Sequence, residues 1–247
     1  MFARIGRAFL MCVGMFTAIP TIYRPWEDDL KPLMIACLPA AGLLIGALWL
    51  AFAGVLRALG APAALAAALL TAAPILLTGA IHLDGYMDTA DAILSWRSIE
   101  ERLRILKDPH TGSFSVVSLG LLLMTSYGAL LAITGKGGSL LPLLLIPGIS
   151  RACSAYCVAR LKPLAHSEYA GASNDIAAQA GIGFAILCAV ISIFAGWRGI
   201  ISMLAVAVGY AYSMRRAYRT LGGFSGDLAG AALCTGEMCG LIAMALL

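Results

Sequence analysis

Long runs of apolar residues, separated by short charged or glycine-rich segments, make up most of this chain. A helix of about 20 apolar residues crosses the roughly 30 Å hydrocarbon core of a bilayer. The runs between charge clusters therefore predict about seven transmembrane helices. These helices are expected at residues 33–56, 62–81, 114–134, 139–159, 179–197, 199–214 and 228–247.

The first apolar stretch, residues 8–19, is too short to cross a bilayer and is followed by Pro20. It predicts a short N-terminal re-entrant or interfacial helix. No internal repeat and no linker divides the sequence, so we expect one transmembrane catalytic domain over residues 1–247. The predicted fold class is all-α, a polytopic integral membrane protein.

Composition supports this assignment. Hydrophobic residues make up 61% of the chain and charged residues 12%, about half the roughly 25% of an ordinary soluble domain. Such a chain is unsuited to be a secreted disulfide scaffold, a disordered segment or a nucleic-acid-binding module. The net charge of +4 fits a positive-inside bias, so membrane lipids are expected partners and nucleic acid is not.

Charged residues are unevenly divided between the two predicted membrane faces. Alternating the seven spans places the segments before residue 33 and at 82–113, 160–178 and 215–227 on one face, which holds 13 of the 17 Lys and Arg residues. The positive-inside rule makes this face cytoplasmic, in a multi-pass protein of the cell (inner) membrane. All acidic residues except Glu237 fall on the same face.

Three aspartates follow the second predicted span. In a helix, Asp84, Asp88 and Asp91 share one face at i, i+4 and i+7, and their like charges repel one another. A cation would remove that repulsion, and carboxylate oxygens favour Mg²⁺ together with phosphate groups. The alternative is that the carboxylates simply solvate a helix end. The adjoining Gly85 would allow a substrate or a neighbouring helix to approach.

Other polar residues in unusual positions are candidates for the same site. The segment at 96–108 suits either an amphipathic interfacial helix or a phosphate-binding element that uses Arg102 or Lys107. Arg151 and Glu237 lie inside predicted spans, where charge is costly, and they could pair with each other. The glycine-rich loop at 222–227 precedes a helix whose N-terminus could face phosphate.

Several motifs, in order along the chain, resemble those of the cobalamin synthase (adenosylcobinamide-GDP ribazoletransferase) family. The most specific is His82-Leu83-Asp84-Gly85 followed by Asp88-Thr89-Ala90-Asp91. Similar matches are the F-T-x-I-P element at 16–20, the P-x-x-G-x-x-x-G run at 39–46, Lys107-Asp108 with Gly112, Ser150-Arg151, and the G-G-x-S-G-D block at 222–227 followed by Glu237.

This sequence departs from the family pattern at a few positions. Ala92 stands where the family usually has Gly, Ser115 replaces a common Gly, and Cys234-Thr235 occupies a place where an acidic residue is more usual. These departures concern the shape of the loops and one acidic ligand, and the aspartates of the signature are all present.

The resemblance implies a reaction of the last stage of cobamide assembly. A ribose hydroxyl of α-ribazole, or of its 5′-phosphate, would attack the cobinamide-linked phosphate of adenosylcobinamide-GDP. GMP would leave, Mg²⁺ would be the cofactor, and adenosylcobalamin or its 5′-phosphate would form. Other membrane-associated enzymes of the corrinoid pathway and further copies of the chain are candidate partners.

The resemblance also implies roles for individual residues, in a cytoplasmic-facing site built from segments 82–113, 151 and 222–237. The metal ligands would be Asp84, Asp88, Asp91, Asp227 and Glu237. The catalytic residues would be Asp84, Asp88 and His82, one of which takes the proton of the attacking hydroxyl. Substrate would be bound by Arg102, Lys107, Asp108, Arg151, Gly223 and Gly226.

Two alternatives belong to other classes of protein. A CDP-alcohol phosphotransferase-like enzyme would also space aspartates along a helix, but its D-x-x-D-G-x-x-A-R signature is not found here. A membrane transporter of an anionic substrate would place charges such as Asp84, Arg151 and Glu237 along a path. A transporter would leave a nucleotide substrate chemically unchanged, which distinguishes it from the enzyme.

Overall fold

Every element of secondary structure in the described part of the chain is helical. The computed structural model describes residues 2–21, 26–136, 138–165 and 175–247. Short 3-10 turns at Asp28–Leu30 and Ile193–Ala195 join some of the helices. The α-helices are α1 (Phe2–Phe16), α2 (Lys31–Ala36), α3 (Leu38–Ala58), α4 (Ala63–Leu77), α5 (Ile81–Leu94), α6 (Ile99–Ile105), α7 (Ser113–Lys136), α8 (Pro142–Arg160), α9 (Asp175–Ser192), α10 (Gly196–Leu221) and α11 (Gly226–Leu246).

The all-α membrane fold is confirmed, whereas the count of about seven spans is not. Five helical segments are long and apolar enough to cross a bilayer, or six if the bent pair α4 and α5 counts as one span. The predicted spans at 179–197 and 199–214 fall within one 47-residue segment, Asp175–Leu221. Helix α1 has 15 residues, fewer than any of these segments, as expected for the short N-terminal helix.

Some sequence predictions concern residues that the structure does not describe. Parts of the predicted cytoplasmic segments before residue 33 and at 160–178 lie outside the described residues, and so does residue 137.

The predicted span at 62–81 is not one straight helix. Helix α4 ends at Leu77, and α5 begins at Ile81 after a bend of 92°. Gly79 and Ala80 both have positive φ, 61° and 62°, and this left-handed backbone ends a right-handed helix. The carbonyl oxygens left free at the end of α4 are partly satisfied, because Ala80 N donates to Ile75 O at 2.9 Å. Helix α5, with the three aspartates, therefore leaves α4 at nearly a right angle.

Glycines allow the central helix α8 to pack closely against α3. Helix α8 is the most buried of the candidate spans, because 78% of the residues in its most apolar stretch are buried inside the protein. A Cβ atom on Gly42 or Gly46 of α3 would collide with the carbonyl oxygens of Pro147 or Leu144 of α8. The P-x-x-G-x-x-x-G run therefore forms a helix-packing face, as small residues at this spacing do in membrane helices.

This packing generates a stability prediction with a matched control on the same helix. We expect Gly46→Ala to destabilise the protein by about 1–3 kcal/mol, because the backbone of α8 must move away from the new methyl group. Gly54→Ala is the control, since nothing lies within 4 Å of the added atom. Thermal melting in detergent should show that Gly46→Ala lowers the Tm and that Gly54→Ala leaves it unchanged. Equal melting temperatures for the two variants would contradict the packing described here.

Candidate active site

Two aspartates from distant parts of the chain line one cleft, which has a volume of ≈ 400 Å³. Asp84 comes from the first turn of α5, and Asp227 from the first turn of α11. Lys107, just after α6, adds a positive charge to the wall. His82, at the start of α5, also lines the cleft. The cleft therefore has the carboxylates and the cation that binding of a metal and a phosphate requires.

Close backbone contact between α5 and α11 brings the two aspartates together. A Cβ atom on Gly85 would lie 2.7 Å from Cα of Asp227, and one on Gly230 would lie 2.8 Å from the carbonyl oxygen of His82. Both glycines are required at these positions because any side chain would force the helices apart. Of the two uses expected for Gly85, the structure shows the approach of a neighbouring helix.

The three aspartates of the signature share a helix, as predicted, but their surroundings differ. Asp84 faces the cleft. Asp88 is one turn further along, where the negative charges of Asp84, Asp227 and Asp91 repel its own charge. Asp91 is buried and has hydrogen-bond partners of its own. The helix therefore carries a row of mutually repelling carboxylates, and the first of them, Asp84, opens into the cleft.

Asp91 caps the start of helix α7. Its Oδ2 accepts from Gly112 N at 2.7 Å, and its Oδ1 accepts from Ser115 N at 2.9 Å. The first amides of a helix have no partner within the helix, and a carboxylate satisfies them well. A Cβ atom on Gly112 would collide with the Asp91 carboxylate, which explains the need for glycine there. This contact could not be predicted from the sequence, because Asp91 and Gly112 belong to separate motifs.

The glycine-rich loop forms another wall of the cleft and caps α11. Ser225 Oγ accepts from Leu228 N at 3.4 Å and donates to Asp227 Oδ2 at 3.3 Å. Phe224 pairs with the 162–164 segment, where Leu164 N donates to Phe224 O at 2.8 Å. A Cβ atom on Gly223 would lie 3.0 Å from Leu164 N, so this glycine admits the segment rather than lining the cleft. Gly226 does line the cleft.

The cap formed by Ser225 was not predicted, although the position of this serine in the sequence indicates it. A serine directly before a predicted helix, with an acidic residue in the first turn, is a usual N-terminal signal. Phe16, the first residue of the F-T-x-I-P element, stacks its ring on that of His82 with centroids 6.2 Å apart, a contact that the motif alone does not predict.

His82 lies between the cleft and a second, inner cavity. It lines both spaces, and the inner one also includes Arg151, Glu237 and Cys234. Its Nε2 is shielded from solvent and has no hydrogen-bond partner within the described part of the protein. This nitrogen therefore keeps its hydrogen-bonding capacity unused by any described protein group.

Arg151 and Glu237 pair with each other, as the sequence suggested. Arg151 Nη1 donates to Glu237 Oε1, and Ser150 Oγ donates to the same oxygen at 2.8 Å. Arg151 is 3% exposed and Glu237 is 14% exposed. The pair lines the inner cavity and not the cleft that contains Asp84 and Asp227. The metal role of Glu237 and the phosphate-binding role of Arg151 stay predictions.

The remaining candidates lie on or beside α6. The Nε of Arg102 is buried and has no hydrogen-bond partner among the described residues, while the neighbouring Leu103 lines the cleft. Asp108 is turned to solvent and bonds to His110, whose backbone N–H donates at 3.0 Å. That backbone bond, and then the His110 side chain, lower the pKa of Asp108. The structure therefore does not bring Asp108 into the cleft.

The capping role of Asp91 leads to a prediction that separates it from Asp88. We expect Asp91→Ala to cost about 0.5–2 kcal/mol of stability, the usual effect of losing a helix cap. Asp88→Ala is the matched control on the same helix face. It removes one of several repelling charges, so its Tm should be unchanged or higher. A lower Tm for Asp88→Ala than for Asp91→Ala would contradict this assignment.

The buried ion pair leads to a double-mutant prediction. Removing one partner of a buried pair leaves an uncompensated charge, which typically costs about 3–5 kcal/mol. Arg151→Met and Glu237→Gln should therefore each lower the Tm, and the double variant should recover much of the loss. Additive losses in the double variant would show that the two side chains are not coupled.

Known proteins resemble this chain over nearly its whole length. The profile of the family described as cobalamin-5-phosphate synthase matches residues 8–245. Curated relatives named adenosylcobinamide-GDP ribazoletransferase include a protein of Clostridium botulinum (strain Alaska E43 / Type E3), 34% identical over 97% of this chain and 97% of the relative. One from Clostridium perfringens (strain 13 / Type A) is 35% identical over 98% of both chains.

A relative from another genus provides a similar match. A relative of the same name from Pseudomonas savastanoi pv. phaseolicola is 37% identical over 85% of this chain and 86% of the relative. No solved structure matches the chain significantly. The matched region includes the aspartate helix α5, the capped start of α7 and the glycine-rich loop. On this basis, the chain belongs to the cobalamin-5-phosphate synthase family.

Proposed function

We propose that this protein is an adenosylcobinamide-GDP ribazoletransferase, a transferase of cobalamin biosynthesis. It joins adenosylcobinamide-GDP to α-ribazole, or to α-ribazole 5′-phosphate, and releases GMP. The observation that carries the proposal is the cleft in which Asp84, Asp227 and Lys107 meet. Family membership and relatives of this name support the substrate assignment. They also favour this activity over the CDP-alcohol phosphotransferase and transporter interpretations.

The chemistry of this reaction suits the residues of the cleft. An oxygen nucleophile displaces GMP at a phosphorus atom, and negative charge spreads over the phosphate oxygens in the transition state. Such a reaction depends on positioning and on neutralisation of charge more than on covalent catalysis. Lys107 lines the cleft and would contact phosphate oxygens, and Arg102 of α6, whose buried Nε has no partner among the described residues, is a second candidate. The first turn of α11, at Gly226, offers backbone amides to the same group.

The carboxylates in and beside the cleft fit Mg²⁺. Among the described residues, no three His, Cys, Asp or Glu side chains already form a group that could hold a metal ion. Mg²⁺ usually takes only one or two carboxylates and completes its octahedron with water and substrate phosphates. Asp84 and Asp227 would hold it, with Asp88 adjacent. When bound, Mg²⁺ neutralises phosphate charge and polarises the phosphoryl group.

The proton of the attacking hydroxyl needs an acceptor in the cleft. His82 is a candidate because its Nε2 has no partner in the described part of the chain. The ring of Phe16 lies nearly parallel to the imidazole, on one side of it. Asp84 and Asp88 are the other two candidates. A carboxylate that binds the metal would not be free to accept the proton.

The several apolar helices suit a multi-pass membrane protein. We propose that the cleft faces the cytoplasm, because the segments that build it carry most of the basic residues. A cytoplasmic cleft would receive nucleotide-linked substrate directly from the compartment that contains nucleotides. Contacts with other corrinoid-pathway enzymes and with further copies of the chain stay predictions.

The activity can be tested with purified protein in liposomes. We expect Mg²⁺-dependent release of GMP, with formation of the cobalamin product, from adenosylcobinamide-GDP and α-ribazole or its 5′-phosphate. Asp84→Asn and Asp227→Asn should lower the rate roughly 100-fold and raise the Mg²⁺ concentration needed for half-maximal rate. Asp29→Asn is the control, because Asp29 pairs with Arg4 on the surface.

The outcomes separate the proposal from its alternatives. Well-folded protein that gives no product with either acceptor would overturn the assignment. Full activity of Asp84→Asn and Asp227→Asn would instead move the metal site away from this cleft. A Tm measured for each variant distinguishes loss of chemistry from loss of fold.

A further inference from the structure

A large groove lies between helices α8, α9 and α10, away from the aspartate cleft. Its volume is ≈ 750 Å³, and it shares no lining residue with the cleft. Its walls are mostly apolar and include Ala152, Ile182, Ala185, Ala207 and Met214. The groove is therefore large enough and apolar enough for a hydrocarbon chain, and it is separate from the cleft.

The packing of the three helices explains why the groove is open. Helix α9 is held tightly on α8, because a Cβ atom on Gly181 would lie 2.7 Å from the carbonyl oxygen of Ala152. Helix α10 is held on α11, because a Cβ atom on Gly209 would lie 3.2 Å from Cα of Gly236. Helices α9 and α10 contact each other much less than α9 contacts α8 or α10 contacts α11. A space therefore remains between α9 and α10 that a ligand can occupy.

Two arginines stand at one end of the groove. Arg215 and Arg219 lie one turn apart on α10 and both line the groove. Both are exposed, and neither has an ion pair or a side-chain hydrogen bond within the described ranges. Helix α10 ends two residues later, and the chain then enters the loop that leads to Asp227. The charged end of the groove is thus at the same end of the molecule as the cleft.

We propose that this groove binds an anionic phospholipid, with an acyl chain along its walls and the headgroup phosphate between Arg215 and Arg219. The charges are complementary, since a guanidinium pairs well with phosphate, and among the described residues no acidic side chain lines the groove to compete for it. Basic pockets between membrane helices are a known setting for anionic headgroups. The apolar walls distinguish a lipid from a free phosphate, which would gain nothing from them.

Binding of lipid would fill the space between α9 and α10. An acyl chain supplies the apolar contacts that these helices do not make with each other, so it should stabilise the folded protein by an amount that increases with lipid concentration. The proposal is independent of the transferase activity. Its test therefore uses bound lipid and thermal stability, and not the release of GMP.

Full-length protein in detergent can be titrated with phosphatidylglycerol or phosphatidylcholine while bound lipid is counted by native mass spectrometry. We expect phosphatidylglycerol to be retained and to raise the Tm, and phosphatidylcholine to do much less. The double variant Arg215→Gln with Arg219→Gln should bind phosphatidylglycerol roughly tenfold more weakly or worse. Arg216→Gln is the matched control, an exposed arginine of the same turn that does not line the groove.

A second pair of variants tests the apolar walls. Ala207→Phe places bulk inside the groove and should reduce retention of lipid. The neighbouring Val208 is 67% exposed and lies outside the groove, so Val208→Phe should leave retention unchanged. This pair keeps the proposal testable if the double arginine variant does not fold.

Several results would overturn the proposal. Equal retention of both lipids would show that the arginines do not select a negative headgroup. An equal rise in Tm with sn-glycerol 3-phosphate would show that the site takes a free phosphate and that the acyl chain contributes nothing. Dimerisation that is lost in Ala207→Phe, without any retained lipid, would show that a second copy of the chain occupies the groove.

Discussion

Helices α5 and α11 touch through their backbones, and the candidate active site depends on this contact. Gly85 meets Asp227, and Gly230 meets His82, each at a distance that leaves no room for a side chain. The carboxylates of two distant motifs are therefore held at one cleft by rigid helices. A site built in this way loses little entropy when substrate binds, because the groups that hold the substrate are already in position.

The acidic residues of the protein have been given different environments by the packing around them. Asp91 accepts hydrogen bonds from backbone amides at the start of α7, and Glu237 accepts hydrogen bonds from Arg151 and Ser150. Asp84 stays open to the cleft, where a ligand can reach it. The same residue type thus serves structure in one place and is available for chemistry a turn or two away. Substitutions at these acids should be interpreted with that division in mind.

The sequence predicted most of the helices and the helix shared by the three aspartates, because hydropathy and the aspartate spacing are local properties. The run at 62–81 looked continuous, since the left-handed backbone at Gly79 and Ala80 leaves no trace in hydropathy. The cap formed by Asp91 was not predictable either, because it needs the distance between two motifs. The pairing of Arg151 with Glu237 could be predicted from the free-energy cost of a charge in the bilayer, because an isolated charge in a membrane helix requires a partner.

The ion pair between α8 and α11 also has a consequence for how the chain is made. Arg151 belongs to α8, which is synthesised well before α11, the helix that carries Glu237. During biogenesis, Arg151 must enter the membrane without its carboxylate partner, at a cost of about 2.5–3.5 kcal/mol near the centre of a helix. The apolar remainder of α8 has to offset that cost until α11 has been synthesised and inserted. Insertion of α11 is then the event that neutralises the charge, and a nascent chain truncated before α11 would lack both the partner of Arg151 and the Asp227 side of the cleft.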